Sequence, residues 1–305
     1  MKFDRQSCVM QGRTISEDVL GDLREHDVSQ LSELDFSREM REHGYLFLRS
    51  VISAKHVEQA RTEVFARLHE VGEVETPDAT GVYTGQSHRQ ETVGDLGVFW
   101  QSVSEGSVLR NVTHGEEIQG VMDAFFDEQS QSHDYLFLRP GVPGRSTHLH
   151  YDKPFFARGS DRIVTVWTAL GEIPVKHGPL VVVEGSQRFD DLLDAAYAVD
   201  YASNDTPLVQ VMQHPEELAR ERGTRLLTAD FMPGDVIIFS MSLLHGSLDN
   251  MSTSCKIRLS SDVRWQPASD PVDPRYRGPN PVGTTGAGYA ELNGAKPLTS
   301  PWHTR

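Results

Sequence analysis

The sequence has 305 residues, of which 38% are hydrophobic and 24% are charged, a composition typical of a folded globular protein and not of a disordered chain. With 44 Asp and Glu against 29 Lys and Arg, the formal net charge is -15, which opposes binding to the phosphates of nucleic acids and to anionic membrane surfaces. The two cysteines, Cys8 and Cys255, exclude a disulfide framework, and no apolar run is long enough to span a bilayer, so we expect a cytoplasmic protein.

The N-terminal part of the chain predicts helices with one strand between them. Residues Ser37 to Glu42 are typical of a short helix that stops at Gly44, and a strand follows at Tyr45 to Leu48. Apolar residues then recur at helical spacing, at Val57, Ala60, Val64, Leu68 and Val71. We therefore describe the chain as a single domain over residues 1–305 with an N-terminal helical extension at about 1–72.

The middle of the chain changes from helical to strand character. Residues 73 to about 97 lack periodicity and predict a long surface loop, and Ile118 to Phe125 predict a second amphipathic helix. Short apolar runs bounded by Pro and Gly then predict strands near 135–139, 147–152, 162–170, 180–184, 225–229, 236–240 and 256–264. Short helices are expected near 192–198 and 216–222. From Pro267 onward the composition predicts an irregular tail at about 267–305.

Many short strands with few helices between them predict a mainly β fold with flanking helices, either an antiparallel sandwich or a jelly roll. No internal repeat is present in the sequence. The helices should pack on the outside of the sheets.

A candidate metal site lies in the segment His148 to Asp152. On an extended strand, His150 and Asp152 point to one face and present an imidazole and a carboxylate to one ion. His148 shares that face and is an alternative ligand. A third ligand is available at His245, just after the predicted strand 236–240. Two histidines and one carboxylate leave the opposite positions of the ion open, which is the ligand set of non-haem Fe(II) oxygenases.

An ordered set of motifs in the C-terminal half carries a resemblance to a known family. The motifs are His150-Tyr151-Asp152, Val166-Trp167-Thr168-Ala169-Leu170, Gly178-Pro179-Leu180, Glu184-Gly185-Ser186, His245-Gly246-Ser247 and Arg258. In this order they resemble the phytanoyl-CoA dioxygenase family of Fe(II)- and 2-oxoglutarate-dependent oxygenases, although the N-terminal third adds little to the match. The resemblance implies a cupin-like jelly roll, the double-stranded β-helix.

The resemblance also implies the cofactor and the reactants. Fe(II) would be held by His150, Asp152 and His245, because the family has one residue between its histidine and its aspartate. The cosubstrates would be 2-oxoglutarate and O2, acting on a small-molecule substrate. By the same spacing, His148 would support the ligands or line the pocket and would not be a ligand itself.

The resemblance assigns Arg258 to the distal carboxylate of 2-oxoglutarate, because a guanidinium matches a carboxylate bidentately. The gap from His245 is somewhat longer than in the family, so a bulge or a longer turn must absorb it. Arg264 is the competitor, since it shares the strand face of Arg258, but we expect it to lie far along the strand from the metal. Trp167 and Ser247 would contact the cosubstrate.

The presence of Asp152 bears on the reaction type. Related halogenases lack this carboxylate, so the resemblance implies hydroxylation, desaturation or oxidative ring closure. The acidic net charge favours a small neutral or cationic metabolite, for example in secondary metabolism, over an acyl-CoA. The alternative function is a cupin-like metalloenzyme that is not an oxygenase, such as an isomerase or a hydrolase.

Overall fold

The computed structural model describes residues 3–203, 211, 213–284 and 288–291. The strands within these residues are β1 (Val9–Met10), β2 (Arg13–Thr14), β3 (Leu20–Asp22), β4 (Glu25–Asp27), β5 (Tyr45–Arg49), β6 (Ser130–Ser132), β7 (Phe137–Gly141), β8 (Val164–Ala169), β9 (Leu180–Val183), β10 (Leu226–Thr228), β11 (Val236–Ser240), β12 (His245–Ser247) and β13 (Arg258–Pro267). The α-helices are α1 (Phe36–His43), α2 (Ala54–Glu70), α3 (Arg89–Thr92), α4 (Leu96–Ser104), α5 (Ser107–His114), α6 (Glu116–Phe126), α7 (Asp190–Tyr197) and α8 (Pro215–Arg222).

Two sheets form the body of the molecule. The larger sheet has seven strands in the order β4-β5-β11-β8-β13-β6, with β7 also paired to β13, and the smaller sheet has the order β12-β9-β10-β3. Most neighbouring strands in both sheets are antiparallel. The two sheets and their flanking helices form the double-stranded β-helix that the resemblance implied.

The central strand β11 shows why the sequence folds in this way. Its apolar run is continuous because both faces are buried: Val236 and Ile238 pack in the core under the helices, whereas Ile237 and Phe239 pack in the core between the sheets. In its antiparallel register, Ile237 lies opposite Trp167 of β8. Alternate residues of one strand therefore serve two separate cores.

Helix α2 confirms the helical periodicity of the N-terminal part. Its fully buried side chains include Val57, Ala60, Val64 and Leu68, and they join the apolar core on the outer face of the larger sheet. No helix among the described residues is both long and apolar enough to cross a membrane.

The ends of the chain differ from the expected extension and tail. Residues 3–72 contain helices α1 and α2, but β3 and β5 in the same segment join the two large sheets by pairing with β10 and β11. The sequence predicted β5 at Tyr45 to Leu48, whereas β3 is too short for its periodicity to be recognised. In the tail, β13 continues to Pro267, and 3-10 turns follow at Pro274–Tyr276 and Gly288–Glu291. The rest of the expected tail, at 285–287 and 292–305, lies outside the described residues.

Candidate metal and cosubstrate site

His150, Asp152 and His245 come together at one end of the jelly roll. Each offers one ligand atom, and these atoms lie within 4.8 Å of one another. His150 and His245 exchange two backbone hydrogen bonds, at 2.9 and 3.1 Å, which place their imidazole centroids 4.3 Å apart. The fold thus assembles the predicted ligand group from two distant segments of the chain.

Each imidazole is oriented by a hydrogen bond to the backbone carbonyl two residues before it. Nδ1 of His150 donates to the carbonyl of His148 at 2.9 Å, and Nδ1 of His245 donates to the carbonyl of Leu243 at 3.0 Å. Nε2 of each ring is then the unprotonated nitrogen and faces the other ligands. Burial lowers the pKa of His150 to about 3 and lowers the pKa of His245, so both rings are neutral, as metal ligands must be.

The carboxylate of Asp152 is divided between two sets of neighbours. Its Oδ2 accepts hydrogen bonds from Thr165 Oγ1 at 2.6 Å and from Arg264 Nη2 at 2.7 Å. Its Oδ1 lies 3.7 Å from Nε2 of His150 and 3.9 Å from Nε2 of His245. Burial by itself raises the pKa of Asp152, but Arg264, followed by the two histidines and Thr165, holds it well below its usual range. Asp152 is therefore ionised and has one oxygen free for a cation.

The segment that carries these ligands is not the strand that the sequence predicted. His150 makes one isolated bridge to His245, and Asp152 has φ -76° and ψ -22°, at the start of a 3-10 turn over Lys153–Phe155. Pro154 in that turn explains the difference, because proline favours the first turn of a helix over a strand. His150 and Asp152 still face one point, although not through strand alternation.

His148 does not join the ligand group. Its side chain is half-buried, and its backbone carbonyl accepts a hydrogen bond from Nδ1 of His150. The ligating atoms that cluster come from His150, Asp152 and His245.

A small pocket opens beside the two histidines. Its walls include all three residues expected to contact the cosubstrate, Arg258, Trp167 and Ser247. Trp167 is nearly fully buried and packs on Phe231 at 4.8 Å between centroids, and Ser247 accepts a hydrogen bond from the Thr147 amide at 2.8 Å. The structure thus brings Arg258, Trp167 and Ser247 to one cavity next to the ligand group.

Arg258 is a buried cation that the protein only partly satisfies. Its Nη1 donates to Ser260 at 2.6 Å, and its Nε has no hydrogen-bond partner in the described part of the chain. Burial, and then the nearby charge of Arg139, lowers the pKa of Arg258 to about 10, so the guanidinium stays charged at neutral pH. A carboxylate ligand fits this position, because it would supply the missing charge and acceptors.

The expectation that Arg264 lies far from the metal ligands is wrong. Arg264 pairs in register with Thr165 of β8, and both reach the same oxygen of Asp152. Asp152 lies beside β13 and not beyond its end, so Arg264 reaches it although Arg264 is distant from Arg258 along the strand.

Sequence reasoning missed several residues of the site. Arg139 and Asp262 form an ion pair that lines the cavity, and Thr165 supports Asp152. A signal was present in β13, where every second residue is polar in a strand that is buried throughout: Arg258, Ser260, Asp262 and Arg264. In a core strand, such a row predicts a polar site on one face.

Comparison with known proteins agrees with this geometry. The family model described as phytanoyl-CoA dioxygenase matches residues 40–259. The chain is 26% identical over 248 residues to a 1-deoxypentalenic acid 11-beta-hydroxylase of Streptomyces exfoliatus, covering 75% of this chain and 79% of the relative. It is 25% identical to the enzyme of the same name from Streptomyces arenae over 244 residues, with the same coverage.

Solved structures share the fold at low sequence identity. The epimerase SnoN, solved with Fe3+, alpha-ketoglutarate and nogalamycin RO, superposes with a TM-score of 0.52 at 19% identity, covering 82% of this chain and 87% of SnoN. The carbocyclase SnoK from nogalamycin biosynthesis gives a TM-score of 0.50 at 17% identity, with 84% and 89% of the two chains covered. Because the family match spans most of the chain and the ligand group is intact, the protein belongs to the phytanoyl-CoA dioxygenase family and is a non-haem Fe(II)- and 2-oxoglutarate-dependent dioxygenase.

Proposed function

We propose that His150, Asp152 and His245 bind one Fe(II) and that Arg258 binds the distal carboxylate of 2-oxoglutarate in the adjoining cavity. One observation carries this proposal: two neutral histidines and one ionised carboxylate lie beside a buried guanidinium whose Nε has no partner among the described residues. Nitrogen and oxygen donors in this number suit Fe(II), and a guanidinium suits a carboxylate. Trp167 and Ser247 would contact the cosubstrate from the cavity wall.

The chemistry and the protein have separate parts in this proposal. Fe(II), 2-oxoglutarate and O2 together supply an oxidant strong enough to remove hydrogen from a C–H bond, while 2-oxoglutarate is converted to succinate and CO2. The chain supplies the fixed Nε2 atoms of its two histidines, the ionised Asp152, and a cavity whose walls include Trp167 and Leu180. Those apolar walls exclude water from the cosubstrate and hold it in one orientation.

The substrate we propose is a small metabolite of secondary metabolism. The curated relatives are named hydroxylases of 1-deoxypentalenic acid, and SnoN and SnoK act in nogalamycin biosynthesis, which supports this class of substrate. At the ligand group, the half-buried Phe155 faces His150 at 6.5 Å and Tyr201 at 4.6 Å between centroids, which offers an apolar contact. Our preference for a neutral or cationic metabolite depends on the net charge alone, so acids must be tested as well.

Aerobic incubation with Fe(II), 2-oxoglutarate and a panel of neutral, cationic and acidic metabolites tests the function. We expect succinate in proportion to a product that has gained oxygen or lost hydrogen, detected by mass spectrometry. The His245→Ala variant is the control and should form neither. Product without succinate would contradict the proposal and favour the alternative of a metalloenzyme that is not an oxygenase.

A salt series tests the charge of the substrate. If the acidic protein attracts a cationic substrate, kcat/KM falls as ionic strength rises, because the Debye length shrinks from about 30 Å at 0.01 M to about 8 Å at 0.15 M. A flat response, or turnover of an acyl-CoA, would contradict this part of the proposal.

We also place the reaction in the cytoplasm, which the free state of Cys8 and Cys255 supports.

A further inference from the structure

The buried side chain of Arg264 contacts Asp152, and metal binding by the three ligands does not explain this contact. Arg264 is 2% exposed, and its guanidinium carbon lies 4.4 Å from the ring centroids of both Phe137 and Phe156. Its Nη2 donates to Asp152, whereas Nε and Nη1 have no hydrogen-bond partner in the residues that the structure describes. A buried ion pair with so few hydrogen bonds contributes little to stability. This favours a functional role for Arg264.

Thr165 contacts the same oxygen from the neighbouring strand. Thr165 of β8 lies opposite Arg264 of β13, so their side chains approach Asp152 together from the inner face of the sheet. Both donate to Oδ2, at 2.6 and 2.7 Å, whereas Oδ1 faces the two histidines. The two carboxylate oxygens of Asp152 therefore have different neighbours before any ion is bound.

We propose that Arg264 and Thr165 are positioning residues that hold Oδ2 away from the metal, so that Asp152 binds Fe(II) through Oδ1 alone. This inference rests on the proposed Fe(II)-dependent function. Of the roughly six positions around Fe(II), one-oxygen binding uses three for the protein and leaves about three for small ligands. Binding through both oxygens would leave about two, which the chelating 2-oxoglutarate fills. Arg264 and Thr165 would thus preserve the position that O2 needs.

The sign of the effect on metal affinity separates this role from a merely structural one. Arg264 is a positive charge beside a cation site, so its removal lowers the electrostatic repulsion against Fe(II). A neutral side chain at position 264 should therefore not weaken Fe(II) binding. It should weaken the binding of the small ligand that depends on the last open position.

The experiment measures three dissociation constants without oxygen. The first is for Fe(II) binding to the metal-free protein, and the second is for 2-oxoglutarate binding to the Fe(II)-loaded protein. The third is for nitric oxide binding to the protein loaded with both, where nitric oxide is the probe for the O2 position. The variants are Arg264→Met, which keeps a long apolar side chain between the two phenylalanines, and Thr165→Val. Arg89→Met is the matched control: Arg89 forms a fully buried ion pair with Glu73 and lies over the ring of Trp100, but in the helical layer.

We expect Arg264→Met to raise the dissociation constant of nitric oxide by roughly 10- to 100-fold. The constants for Fe(II) and 2-oxoglutarate should rise by no more than about twofold, and Arg89→Met should leave all three near wild type. An unchanged nitric oxide constant, or a joint weakening of all three, would overturn the proposal. If Arg264→Met does not fold, Thr165→Val decides in the same way with a smaller shift. Absence of Fe(II) binding by the wild-type protein would instead contradict the proposed function.

Discussion

The two faces of strand β13 differ in composition although they belong to the same strand. On β13, the residues Leu259, Val263 and Trp265 face outward and pack under the helices. The residues that alternate with them face inward, and they are Arg258, Ser260, Asp262 and Arg264. One strand thus supplies apolar side chains to the core and polar side chains to the site.

This difference teaches that alternate residues of one strand can serve different purposes, one set stabilising the fold and the other binding ligands. Burial of apolar area on the outer face stabilises the fold, by about 25 cal/mol per Å². Charges on the inner face are costly to bury and are retained for what they bind. Substitutions on the outer face should therefore change the free energy of unfolding, whereas substitutions on the inner face should change ligand binding.

The largest effect should follow loss of a metal ligand inside the jelly roll. In His245→Ala, the two remaining ligands should not retain Fe(II), so turnover should fall below detection while the fold persists. Anaerobic Fe(II) titration and circular dichroism measure the two properties. Full activity in His150→Ala, together with loss of iron in His148→Ala, would move the ligand role to His148 and break the assignment.

A substitution on the outer face should have the converse effect. Leu259 is fully buried under the helices, and Leu259→Ala should lower the free energy of unfolding by about 2–5 kcal/mol through lost contacts and a cavity. Urea unfolding of the metal-free protein measures the change. The dissociation constants for Fe(II) and 2-oxoglutarate should stay near wild type, and a large rise in either would show that the two faces are not independent.

Arg258, the inward neighbour of Leu259, sharpens the comparison. Arg258→Ala removes a charge-assisted pair with 2-oxoglutarate and should raise its dissociation constant at least about tenfold, equivalent to about 1.5–3 kcal/mol. The free energy of unfolding should change little, because among the residues that the structure describes this guanidinium hydrogen-bonds only to Ser260. An unchanged constant in Arg258→Ala and a large change in Arg264→Ala would transfer the role to Arg264.

The smallest expected effect is a pH dependence of the free energy of unfolding, and it arises from a histidine outside the ligand group. Burial lowers the pKa of His133 to about 4, below its ordinary value of about 6.5, so the unfolded chain binds a proton between these values and the native chain does not. The free energy of unfolding should therefore decrease as pH falls through that window, by roughly 1 kcal/mol per pH unit from this residue. Urea unfolding of His133→Gln should show a shallower decrease than wild type.

Much of the jelly roll could be predicted because its strands are short apolar runs between turns. Strand β11 is observed at the predicted residues 236–240, and β8 to β10 lie within the predicted ranges. Helices α4 and α5 were missed, since both are short and follow a segment without periodicity. In the expected surface loop 73–97, Glu73 and Arg89 form a fully buried ion pair, which sequence composition alone would place at the surface.

The ligand group could be predicted from residue types and the family order, but its supports could not. Two histidines and one carboxylate in the family order predicted that His150, Asp152 and His245 form one group, and their potential ligand atoms lie within 4.8 Å of one another. The contacts of Thr165 and Arg264 with Asp152 depend on the pairing register of β8 and β13, which no local pattern specifies.

The backbone bridge between His150 and His245 also determines when the ion can be acquired. Contacts between distant parts of a chain form late, because closing a long loop costs entropy before any contact repays it. A partly folded chain would therefore lack a complete ligand set and would not capture iron early. Once the bridge has closed, an ion bound to both histidines ties the two segments together and should slow unfolding.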